Sequence, residues 1–337
     1  MTAINYEIDN DGILTLTIDM PGQSANTMNS AFREALTETV QNVESDAEKI
    51  SGIIITSAKD TFFAGGDLKE LVAVTRENAE EFFNTILSLK AQMRKLETLG
   101  KPVVAAMNGT ALGGGYELCL ASHRRIVLDD ASIRIGLPEV TLGLLPGGGA
   151  CVRLPRLLGL EKAFPYLMEG KQVDPQTALK EGMVDELASS QEELLQRARD
   201  WIKANPQSKQ PWDQKGFKIP GGGPSHPAMA QRLSIAPAML KEKTKGCYPA
   251  PERIMAAAVE GANVDVDTAD RIEARYFTEI TCSQVAKNMI NTFWFGLNAI
   301  KAGGSRPSAP ERSKVTKVGI LGAGMMGAGI AYVSANR

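Results

Sequence analysis

Two carboxylates stand where carboxylates are uncommon. Glu117 lies between Gly113-Gly114-Gly115 and Leu118-Cys119-Leu120. Glu139 follows Ile135-Gly136-Leu137-Pro138 and precedes Val140-Thr141-Leu142 and the glycine-rich run that closes at Gly149. An apolar setting raises a carboxyl pKa and suits it to proton transfer near neutrality. Glycines ahead of a short helix leave unshielded amide N–H groups at its positive end, where a developing oxyanion can be held. The chemistry such a set could do is addition or removal of a proton beside a carbonyl while the carbonyl oxygen gains charge.

The plain alternative has weight, because with 39 acidic residues in 337 an arbitrary glutamate pair is surface charge. On that reading Glu117 is a helix-start acid complementing the macrodipole, and Glu139 is a loop acid. The glycine-rich and apolar context of both favours chemistry. Glycosidases also work with two carboxylates, but they need no amide cradle. A second cradle candidate is Ala64-Gly65-Gly66-Asp67, behind Phe62 and Phe63 and ahead of a new helix. Taken alone, it reads as a tight loop with an Asp near a helix start.

The remaining composition excludes other classes. A net charge of -2 and a pI near 5.9 argue against a nucleic-acid platform. Cys119, Cys151, Cys247 and Cys282 lie far apart without CxxC or metal-ligand spacing, as expected of reduced thiols in a cytoplasmic setting. His123 and His226 are the two histidines, neither in a paired-ligand setting, so no metal site is expected. Gly-x-Ser-x-Gly is absent, which weakens a serine hydrolase reading. Neither a secretory leader nor an apolar run of membrane-spanning length is read from the chain.

The elements that must position these residues alternate. The spacing predicts a strand over 13–20, a helix over 31–43 capped by Asn29 or Ser30, and a strand buried on both faces over 50–56. Asn78 with Glu81 resembles a capping box for a helix whose stripe is Phe82, Ile86, Leu89, Met93 and Leu96. A strand over 103–107 leads to the helix-like run 116–122, and 125–128 and 132–135 read as short strands. A basic helix begins at 153, and 178–187 reads as helix, turn and strand. Strand and helix units without a sequence period argue an α/β core.

Residues 205–228 form a Pro/Gly-rich loop, 229–300 are helical, and 302–315 read as a linker. Residues 318–321 then predict a strand before Gly322-x-Gly324-x-x-Gly327 and a small-residue helix, the order of a dinucleotide-binding turn. The acidic ribose ligand expected ~20 residues on falls at or beyond the last residue. The segment is therefore expected to be an incomplete first βα unit, with no competent NAD site in this chain.

Three motifs carry a resemblance: Phe63-Ala64-Gly65-Gly66-Asp67-Leu68; Asn108-Gly109-x-Ala111-Leu112-Gly113-Gly114-Gly115-x-Glu117-Leu118; and Gly136-Leu137-Pro138-Glu139 followed by Gly143-Leu144-x-Pro146-Gly147. They closely resemble the crotonase (enoyl-CoA hydratase) superfamily over roughly the first 190 residues. Beyond it, Tyr248-Pro249-Ala250-Pro251, the linker and the glycine turn look like the multifunctional hydratase/3-hydroxyacyl-CoA dehydrogenase fusions of fatty-acid oxidation, α-subunit type, cut early in the dehydrogenase.

The resemblance implies an α/β spiral of ββα units over 1–190, a helical extension over 191–301, the linker at 302–315 and the βα stub at 316–337. It implies a trans-2-enoyl-CoA substrate, with Gly66 and Gly114 amides as the oxyanion hole, Glu117 activating water for C3, and Glu139 delivering a proton to C2. Ala64, Gly65 and Gly66 would contact the CoA portion. Hydration needs no cofactor, and NAD would serve only the longer fused protein. A thiolase partner is implied by resemblance alone, and oligomeric state stays open. A Δ3,Δ2-enoyl-CoA isomerase in the same site and an NAD-dependent dehydrogenase are the competing activities; a non-catalytic acyl-CoA scaffold is the competing class. The 117-to-139 interval of 22 exceeds the family expectation, as an added pair of residues between Arg124 and Ser132 would explain.

Overall fold

Alternating β-branched residues set up the sheet. In the computed structural model, which describes residues 3–307 and 314–336, β1 (Ile4–Ile8) runs antiparallel to β2 (Ile13–Ile18). Parallel pairing then adds β3 (Gly52–Ser57), β4 (Val103–Met107), β6 (Arg124–Leu128) and β9 (Glu186–Ala188) in the order β1-β2-β3-β4-β6-β9. The run Gly52–Ser57 is buried throughout because both sheet faces are covered. Ile13, Ile54, Val104 and Ile126 face Leu194, Ala198 and Ile202 of the helix Gln191–Ala204. Ile53, Ile55 and Ala105 face the opposite side, with Phe32 of the helix Ser30–Ser45 and Met93 of the helix Ala79–Thr98. Residues past 190 thus cover one face of the main sheet.

A second, short sheet positions the site. It joins β5 (Ala111–Leu112), β7 (Ile135–Gly136) and β8 (Gln172–Val173) in the order β5-β7-β8, with β5 and β7 parallel. Single bridges extend it from Phe63 to Ala111 and from Met28 to Gly66.

The helical segment is built around the helices Pro249–Gly261 and Val266–Thr281, the second packing against Ala79–Thr98. All residues up to Phe295 form one unit, and those from Gly296 form another.

Several expectations are corrected. The capping box at Asn78 is not made: its Oδ1 accepts the Thr75 N–H at 2.7 Å, so the helix Ala79–Thr98 begins without a side-chain cap. The strand expected over 132–135 shrinks to β7, because Asp130 Oδ1 captures the Ser132 N–H at 2.7 Å and folds that stretch into a turn. The helix after the triple glycine starts at Gly114, not at 116, so two of the three glycines are its first turn.

In the second unit the helix Met325–Ala335 forms, but the strand expected over 318–321 does not. Among the described residues nothing pairs with it, and an unpaired extended segment has no ladder to hold it. The glycine turn itself is kept: Gly322 has φ +96°, and a Cβ on Gly327 would stand 1.9 Å from the Gly322 carbonyl oxygen. Of the linker expected at 302–315, residues 308–313 lie outside the described residues.

Candidate active site

Three adjacent strand ends deliver the three motifs to one place. Phe63 pairs with Ala111, and the Leu112 N–H donates to the Phe63 carbonyl at 3.0 Å. Gly113, just past β5, donates its N–H to the Gly136 carbonyl of β7 at 2.9 Å. The segments 64–67, 113–117 and 137–139 therefore leave the short sheet side by side. Gly115 is required there, since a Cβ would meet the Phe63 carbonyl oxygen at 2.5 Å.

Two amides are left open by this arrangement. The bridge at Gly66 sends the Met28 N–H to the Gly65 carbonyl at 2.8 Å and bypasses the Gly66 N–H. Gly114 is the first residue of the helix Gly114–Leu120, where an N–H has no intrahelical acceptor. Among the described residues neither N–H has an acceptor. Gly66, Gly114, Glu117 and Glu139 line one cavity of about 1190 Å³, together with Ala64 and Gly65. Gly322, Gly324 and Gly327 belong to the other unit and form their own turn.

The two carboxylates are held differently. Glu117, 3 % exposed, accepts the N–H groups of Gly148 (2.7 Å) and Ala150 (2.9 Å) on Oε1. Burial, with Glu273 nearby, pushes its pKa up to about 7, against the pull of those amides and of Lys90. Glu139 sits in the 3₁₀ turn Pro138–Leu142, and its buried Oε2 has no partner among the described residues. Burial and then the charge of Glu117 raise its pKa well above the ordinary range. Each carboxylate also rests on a glycine: a Cβ on Gly113 would lie 2.4 Å from Glu139 Oε1, and one on Gly148 would lie 2.7 Å from Glu117 Oε2. A proton is thus favoured on Glu139, and Glu117, with two donors, is the easier of the pair to ionise.

Sequence reasoning missed what stands behind and beside the pair. Lys90, Glu97, Asp270 and Glu273 are buried charges from two helices, and Arg153 between them is 0 % exposed. A signal existed: Lys90 is spaced four from Ile86 and three from Met93, inside the apolar stripe, and Glu273 lies midway between Ala269 and Phe277 in the next. Phe82, Phe277 and the π-helical Phe293, Trp294 and Phe295 also line the cavity. Lys287 reaches back to the carbonyls of Val72 (2.9 Å) and Val74, tying down the chain that follows the Gly66 loop.

Among the described residues no group of three or more potential ligands could hold a metal, and no helix is long and apolar enough to cross a membrane.

Residues 9–211 match the family model of enoyl-CoA hydratase/isomerase. The "Fatty acid oxidation complex subunit alpha" of Shewanella loihica is 36% identical over 336 residues, 98% of this chain and 46% of the relative. Its counterpart from Shewanella baltica is 35% identical over 338 residues, 99% of this chain and 47% of the relative. The chain spans about half the length of the curated relatives it matches. The crystal structure of an enoyl-CoA hydratase from Bacillus anthracis is similar at a TM-score of 0.54 and 25% identity, covering 89% of this chain and 96% of that one.

Proposed function

This chain belongs to the enoyl-CoA hydratase/isomerase family, and from that premise we propose that it adds water across the trans-2 double bond of an enoyl-CoA thioester to give the 3-hydroxyacyl-CoA, a step of fatty-acid β-oxidation. The observation that carries the reading is the unequal carboxylate pair, Glu117 and Glu139, in one cavity with two open amides.

The thioester carbonyl oxygen accepts the Gly66 and Gly114 N–H groups. As a nucleophile adds at C3, negative charge grows on that oxygen, and preorganised donors stabilise it more than the ground state. Ionised Glu117 takes a proton from the water whose oxygen bonds to C3. Protonated Glu139 gives its proton to C2, so one water is added overall and one proton must pass back from Glu117 to Glu139. The division follows from the hydrogen bonding: two amides of the Gly148–Ala150 turn favour the charged form at Glu117, while the buried Oε2 of Glu139 has no donor among the described residues. Ala64 and Gly65 flank the CoA side of the cavity. Hydration by this route uses no cofactor.

The purified chain with crotonyl-CoA tests this directly. Hydration should appear without added cofactor and fall at least about a hundredfold in Glu117→Gln and in Glu139→Gln; near-normal turnover in either variant sinks the assignment. Supplying 3-enoyl-CoA and watching for conjugated product measures isomerase activity at the same site. For a longer protein of this type, an NAD-dependent 3-hydroxyacyl-CoA dehydrogenase activity and a thiolase partner are what the sequence resemblance implies.

A further inference from the structure

The turn that grips Glu117 is itself gripped from behind. Gly148 and Ala150 donate to Glu117 Oε1, and the next amide, Cys151 N–H, donates to Glu273 Oε2 at 2.8 Å. Glu273 is fully buried and pairs with Lys90, whose Nζ lies 2.6 Å from its Oε1 and donates to the Asp270 carbonyl at 2.8 Å. Asp270 in turn faces Arg153, which Glu97 also holds at 2.8 Å. Successive amides of one helix start are thus divided between two carboxylates, one facing the cavity and one facing the interior.

We propose that Glu273, held by Lys90, is a positioning residue for Glu117: it fixes the Gly148–Cys151 turn whose amides hold the Glu117 carboxylate, and the Lys90–Glu273 pair sets the local charge against which Glu117 ionises. The inference rests on Glu117 acting as the proton acceptor. The groups that face Glu117 are Glu139 from the 3₁₀ turn, Cys151 from the helix Ala150–Leu158, Lys90 from Ala79–Thr98 and Glu273 from Val266–Thr281. Of these, Lys90 and Glu273 have opposite charges and act on Glu117 with opposite sign. Neither lines the cavity, so neither touches substrate.

The test is the pH dependence of kcat/KM with crotonyl-CoA in two single variants. Glu273→Gln keeps an acceptor for Cys151 and removes a negative charge, so the acidic limb moves down by roughly one pH unit. Lys90→Met removes the opposing positive charge, so the limb moves up by a similar amount. Damage to packing alone would lower kcat in both without moving the limbs apart; limbs that stay put or move together overturn the proposal.

If a single variant does not fold, two double variants carry the test. Lys90→Met/Glu273→Gln keeps the Cys151 acceptor and a neutral interior, and its limb should lie near that of the unaltered protein. Lys90→Met/Glu273→Leu loses the acceptor as well, and kcat should fall roughly tenfold or more below the first double variant with KM unchanged. Equal kcat values in the two overturn the positioning role. Glu117→Gln separates the two readings: if it hydrates crotonyl-CoA at a near-normal rate, the site assignment fails, whereas if its rate falls by about the expected hundredfold or more and the pair variants behave as the unaltered protein does, only this inference fails.

Discussion

The Glu139 carboxylate is seated on Gly113: a Cβ built on that glycine would stand 2.4 Å from Oε1, closer than any real contact. Gly148 bears the same relation to Glu117, at 2.7 Å from Oε2. Gly113→Ala must therefore push Glu139 aside, and its φ of +53° adds backbone strain. Gly148→Ala displaces Glu117 alone. We expect each to lower kcat roughly ten- to hundredfold, with urea unfolding showing a loss of only about 1–2 kcal/mol. A normal kcat in a folded Gly148→Ala variant would show that the Glu117 position is not critical.

Replacing either glutamate by glutamine should cost on the order of 10²–10⁴ in kcat, the usual worth of a positioned proton donor or acceptor. The unaltered protein should show kcat/KM rising with pH through about 7, where Glu117 loses its proton, and falling as Glu139, whose pKa burial also raises, ionises. Because the two carboxyls interact, both limbs belong to the pair. A flat profile between pH 5 and 8 would contradict the assignment.

Stability should carry the opposite signature. The Glu117 pKa is about 7 in the folded protein against an ordinary 4.5, so between those values the native state holds a proton that the unfolded chain has released. Stability from this group is complete below about 4.5 and is lost as pH rises through 7. Glutamine at 117 is always neutral, so Glu117→Gln should unfold later in denaturant than the unaltered protein at pH 8, by roughly 3 kcal/mol. The gap should close in acid, and a gap independent of pH would refute the linkage.

Phe82 and Phe277 meet in the cavity wall with ring centroids 5.4 Å apart. Trimming Phe82 to Ala enlarges that wall. The specificity ratio, kcat/KM for a long-chain over a short-chain enoyl-CoA, should shift toward long chains, with kcat for crotonyl-CoA reduced less than about threefold. Unchanged ratios would place the acyl chain elsewhere in the cavity.

The front of this site was legible and the back was not. Glycines 113 and 148 stand where a carboxylate approaches too closely for a side chain, and the glycine-rich runs that carry them and the open amides of Gly66 and Gly114 can be read from letters. The strand at 103–107 and the helix stripe at 82–96 follow from periodicity. Lys90 with Glu273 is a pairing between distant helices, and only the packing of Val266–Thr281 on Ala79–Thr98 creates it. Two of the local failures share a cause: Asn78 and Asp130 side chains took backbone amides that a cap or a strand would have used differently.

The burial of charge between those helices also bears on where this enzyme can be divided. The match to the family model ends at residue 211, yet counter-ions of Lys90 and Arg153 on the helix Val266–Thr281 lie beyond it, as do four aromatic side chains of the cavity wall, Phe277, Phe293, Trp294 and Phe295. A piece cut at the edge of the matched region would retain Glu117 and Glu139 but lose the carboxylate partner of Lys90 and one of the two partners of Arg153, and would open the apolar wall. Removing one partner of a buried ion pair destabilises by several kcal/mol, and the bared wall invites aggregation. The segment marked by the family's motifs is thus shorter than the segment over which this cavity and its buried charges are assembled.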